Sequence, residues 1–70
     1  MTPALLREIG EALWGPLWQS EMARTLSVSD RTVRRWSVGQ FRIPDQIRDE
    51  LRGVVVERRA RLGKLAKSLL

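Results

Sequence analysis

The sequence predicts an all-α domain, a bundle of four or five helices. Three observations lead there. Apolar residues recur at three- and four-residue spacing, as in Leu5, Leu6, Ile9, Ala12 and Leu13, and again in Ile47, Leu51, Val54 and Val55. Helix starts and breakers punctuate the chain at Thr2-Pro3, Gly15-Pro16, Ser29, Gly39 and Pro44. The β-branched run Val54-Val55-Val56 is the one candidate strand, and it has no second strand to pair with, so helix is the better reading.

Thr2 suits an N-cap and Pro3 the first helical position, and Gly15-Pro16 ends the helix that follows. Gly10 weakens that helix by about 1 kcal/mol relative to alanine, and it either allows a close crossing or is simply tolerated. Trp18 precedes a second helix over about 19–26 and is placed to fold back near Met22 or Ala23. A third helix is expected over 30–38, capped by Ser29 and stopped by Gly39. Phe41 and Ile43 read as core plugs in the next loop, and Pro44 opens a fourth helix with Ile47, Leu51, Val54 and Val55 inward. Trp14, Trp18 and Trp36 are the expected large core pieces.

Seventy residues make one domain, expected to bury only about 60% of its unfolded surface, so a partner copy or very good helix packing would help it. The globular part is assigned to 1–56. Residues 57–70 are basic, with Leu62, Leu65 and Leu69 on one face and Val55 one heptad earlier. At the seam position between them stands Arg58. Three readings stay open for this segment: a helical dimerisation element, a disordered tail, or an amphipathic helix on a membrane surface.

The richest segment runs from Gln19 to Trp36, two short helices joined by a tight turn. Ala23 permits a close crossing, and Leu26, Val28, Val33 and Trp36 face a shared core. Arg31, Arg34 and Arg35 point away from Val33 and Trp36. The run Val28 to Trp36, preceded by Gln19 and Ala23 and followed by Gly39 and Ile43-Pro44, resembles the small phage-repressor-like (Cro/cI-type, XRE-like) helix-turn-helix regulators over roughly residues 4–58. The resemblance implies a lambda-repressor-like domain that lays helix 30–38 in the major groove of double-stranded DNA. It implies base reading by Ser29, Asp30, Arg31, Arg34 and Arg35, and a phosphate contact from Gln19. Where that family usually has glycine in the turn, this chain has Ser27, so the turn differs or carries strain.

Chemistry refines these roles. An arginine fork pairs bidentately with guanine O6 and N7, which favours Arg31 and Arg35 as readers and Arg34 as reader or phosphate clamp. Asp30 suits the first turn, where it caps the helix, orients an arginine or accepts from cytosine. Ser29 is chiefly a cap. Thr32 is expected at a phosphate or a thymine methyl. Gln19 and Ser20 stand where a helix N-terminus attracts phosphate, and Ser37, Gln40 and Arg42 are candidate backbone clamps.

Net charge is +5. Residues 1–30 hold two arginines against four acids, and residues 31–70 hold eleven cations against four acids, an asymmetry suited to a polyanion. With no cysteine and no histidine, disulfides, Cys/His zinc sites and catalysis by either residue are excluded. No phosphate loop or activated nucleophile is visible, so neither enzyme activity nor a cofactor or small-molecule ligand is expected. No apolar stretch approaches a membrane span, and no secretory leader is read, so a cytoplasmic setting is expected. The expected activity is transcriptional regulation, most simply repression, by a homodimer on an inverted-repeat operator. Autoregulation of the phage, mobile-element or anti-CRISPR-associated kind is compatible with the resemblance. The alternatives are a recombination or packaging accessory protein and a helix-turn-helix scaffold for protein–protein contact.

Overall fold

The computed structural model describes residues 1–70 and is all-helical. Helix α1 spans Pro3–Trp14, α2 Trp18–Leu26, α3 Asp30–Ser37 and α4 Asp45–Ser68, with a 3-10 turn at Gly15–Leu17 between the first two. No strand forms, and residues 54–57 are helical.

Local chemistry accounts for each boundary. Thr2 Oγ1 accepts from the Leu5 N–H at 3.1 Å, and Ser29 Oγ accepts from the Thr32 N–H at 3.1 Å, satisfying donors that helix starts otherwise leave orphaned. Both α2 and α3 end on a residue of left-handed conformation. Ser27 (φ 58°, ψ 41°) closes α2, with its N–H donating to Arg24 O and the Val28 N–H donating to Ala23 O. Gly39 (φ 77°) closes α3 in the same way, with Gly39 N–H to Trp36 O and Gln40 N–H to Arg35 O. These are paired Schellman bonds. Glycine occupies the second without strain, whereas Ser27 carries a side chain where one is disfavoured.

The core joins Leu6 of α1, Trp18, Met22, Ala23 and Leu26 of α2, Val33 and Trp36 of α3, Ile43 of the loop, and Ile47 and Leu51 of α4. Trp18 packs straight onto Gly10: a methyl group there would overlap the indole ring. The tryptophan therefore anchors α2 to α1, in the same cluster as Met22 and Ala23 of its own helix.

Several expectations need correction. Trp14 is only half-buried and flanks the core. Leu5 and Ala12 are exposed, because the buried stripe of α1 centres on Leu6 and Gly10 and leaves their flank to solvent. Phe41 is 46% exposed and plugs nothing, Ile43 alone filling that role. Val55 is exposed as well.

Helix α4 runs without interruption through position 57, so no boundary marks off 57–70 locally. Arg58 is half-buried and its Nη1 donates to the Leu13 carbonyl at 2.9 Å, binding α4 to the last turn of α1. Beyond it, residues 59–70 are all exposed. The 24-residue helix is about 36 Å long, which gives the molecule its 45 × 23 × 21 Å shape. No helix is long and apolar enough to cross a membrane.

Candidate nucleic-acid interface

Helix α3 is short and sharply two-faced. Val33, Trp36 and Ser37 are buried against the rest of the bundle. At 3.6 residues per turn, Arg31 and Arg35 lie about 160° and 200° around the helix from Val33, and Arg34 about 100°. The core contacts of Val33 and Trp36 therefore dictate that the arginines face outward. Arg31 and Arg34 are exposed, and Arg35 is half-buried because its guanidinium lies 4.9 Å from the centroid of the Phe41 ring. That stacking holds one fork in place without neutralising it.

None of the three guanidinium groups meets a carboxylate. The one ion pair in the chain is the exposed Arg24–Glu21 contact at 3.3 Å. Of thirteen lysines and arginines, twelve therefore carry charge without an acidic partner. Asp30, the one acid on α3, accepts a hydrogen bond from Ser20 Oγ at 2.9 Å and pairs with no arginine. The expectation that it orients Arg31 or Arg34 is thus corrected: it ties the start of α3 to the start of α2.

Ser29 and Thr32 form a local unit. Their hydroxyls are 2.8 Å apart while Ser29 caps the helix, so the Thr32 hydroxyl is already engaged. Gln40 and Arg42 are exposed on the loop that leaves α3.

Ser37 requires a clear correction. It is only 5% exposed, its hydroxyl is directed to the carbonyls of Val33 and Arg34 at 3.0 and 2.9 Å, and it accepts from Gln19 Nε2 at 3.1 Å. It is an internal bridge between α2 and α3, not a backbone clamp. Gln19 is correspondingly half-buried, with one amide N–H committed to Ser37 and the second left over. Ser20 is exposed, with its hydroxyl proton on Asp30.

The structure thus brings Ser20, Ser29, Asp30 and Thr32 together at the facing starts of α2 and α3, with Arg31, Arg34 and Arg35 on the outer face beyond them. The role of Phe41 beneath Arg35 escaped the sequence reading. The signal was present, since Gly39 turns the chain back after α3 and brings Phe41 within reach of its last turn. No cluster of His, Cys, Asp or Glu able to hold a metal occurs. Rigid guanidinium forks of this kind recognise planar pairs of acceptors, such as phosphate oxygens or the major-groove edge of guanine. A scan against family models and searches of curated proteins and of solved structures returned no match.

Proposed function

We propose that the chain is a sequence-specific double-stranded DNA-binding regulator, a repressor in the simplest case, in which α2 and α3 form a helix-turn-helix and α3 enters the major groove. The observation that carries this reading is the triad of uncompensated outward arginines on a helix whose opposite face is locked into the core. None of the three forms an ion pair, and Asp30, the one acid on the helix, is engaged by Ser20 instead.

In this reading Arg31 and Arg35 read bases, Arg34 reads or clamps, and Gln40 and Arg42 hold backbone phosphates. Gln19 contributes its second amide N–H, and Ser20 and Thr32 position the helix starts. A homodimer on an inverted repeat would set half-sites about 10–10.5 base pairs apart, or a multiple of that. No observation favours the protein-scaffold alternative over this one.

The test is selection of bound duplexes from a random library, followed by binding measurements on the enriched site. Enrichment of a two-fold-symmetric sequence is expected. Arg31→Ala should relax preference at one position, by about 1–3 kcal/mol of lost discrimination. Arg42→Ala should weaken every sequence alike and lower the log–log salt slope by about 0.9. No enrichment, or identical behaviour of the two variants, would defeat the assignment.

A further inference from the structure

Helix α4 leaves a long apolar face uncovered. A groove of about 470 Å³ runs between α1 and α4, lined by Leu5, Ile9, Val55 and Val56 together with Arg48 and Arg52. Beyond it Leu62 and Leu65 are more than half exposed and Leu69 nearly fully so. None of these residues belongs to the arginine face of α3.

The accessible surface shows how much is uncovered. The chain exposes 5390 Å². A compact folded monomer of 8.1 kDa would expose about 4,500 Å². The excess of roughly 900 Å² matches the ~800 Å² that each partner contributes to a standard stable interface. The radius of gyration agrees, at 13.1 Å against about 11 Å for a compact domain of this length.

Charge then selects the orientation. Residues 45–57 carry four carboxylates and two arginines, net −2, while residues 58–70 carry five cations and no acid, net +5. Two parallel α4 helices would set the +5 halves side by side. Two antiparallel helices keep the +5 halves apart and oppose their dipoles favourably; the groove itself is edged by Arg48 and Arg52, not by the carboxylates.

We propose that the occupant of this face is a second copy of the chain, docked by two-fold antiparallel pairing of α4. In this pairing the projecting segment 59–70 of each copy lies in the α1–α4 groove of the other. The register sets Leu62 opposite the partner's Val55 and Leu69 opposite the partner's Arg48, whose aliphatic stem continues the apolar track. Arg58 lies near the two-fold axis, where its bond to Leu13 turns it out of the seam. The pairing deepens the dimer proposed above but uses none of its DNA contacts. It stands or falls on mass and cross-linking without DNA, whereas the DNA reading falls on duplex selection.

The experiment is analytical ultracentrifugation of the full chain across micromolar concentrations. A mass near twice 8.1 kDa is expected. The double variant Leu62→Gln/Leu65→Gln, which adds no charge to pair with Arg48 or Arg52, should raise the dimer dissociation constant about 100-fold, with unchanged far-UV circular dichroism because both sites are solvent-facing. The chain has no native cysteine, so an oxidised mixture of Val55→Cys and Leu62→Cys chains should give the mixed disulfide. Homodisulfides of the Leu62→Cys chain alone would overturn the antiparallel pairing. A monomer in solution would overturn the proposal outright, and its co-sedimentation with phosphatidylglycerol vesicles would assign the face to lipid.

Discussion

A methyl group at position 10 would enter the space of the Trp18 ring, so Gly10 is the notch through which α2 docks on α1. Glycine in a helix interior is ordinarily a weakness, and replacing it with alanine gains up to about 1 kcal/mol. Here the overlap outweighs that gain, because the ring belongs to a buried anchor of the core. Gly10→Ala is expected to destabilise by about 2 kcal/mol net, lowering Tm by roughly 10 °C. Gly53→Ala is the opposite case: nothing lies within 4 Å of the added carbon and the helix continues on both sides. It should raise stability by up to about 1 kcal/mol. Thermal unfolding of the two variants, chemically the same change, should give shifts of opposite sign.

Among the elements, α3 depends most on its ends, since eight residues cannot sustain a helix alone. Ser29 both caps it and bonds the Thr32 hydroxyl. Ser29→Ala should cost about 1 kcal/mol, the usual value of such a cap. Ser29→Asp keeps a capping acceptor and should restore that stability. It also adds negative charge beside the candidate reading face, so it should bind duplex DNA more weakly than Ser29→Ala. Denaturant unfolding and DNA titration of the pair separate the two roles of the residue.

The caps, the breakers and the outward arginines of α3 were legible in the sequence because each is a local matter, settled within four or five residues. What was not legible depends on contacts across the chain. Leu5 and Phe41 have core-like side chains, but the face each presents is decided by which neighbour arrives. Ser37 reads as a polar residue trailing the arginines, yet its position, one place past Trp36 and four after Val33, lies on the buried side and is filled by Gln19. Arg58 interrupts an apolar seam for a reason 45 residues away, the Leu13 carbonyl.

The molecule as a whole combines a small core with a long, uncovered helix. Ten buried apolar side chains form the core cluster, a modest store of hydrophobic stabilisation for a chain whose backbone ordering costs about 1–2 kcal/mol per residue. Covering α4 with a second copy adds burial that the monomer lacks, so folding and association become one equilibrium. Thermal stability should then depend on protein concentration. A tenfold increase changes the dimer free energy by about 1.4 kcal/mol, which for two chains unfolding together should raise Tm by roughly 3–6 °C. Leu62→Gln/Leu65→Gln should abolish that dependence while leaving a folded monomer of lower Tm. In the proposed DNA reading the same variant should bind its selected duplex with a lost preference for two-fold sites, because one α3 would meet only one half. A wild-type Tm independent of concentration would mean that the ten-residue core alone holds the fold, and that α4 projects from it for some purpose other than self-association.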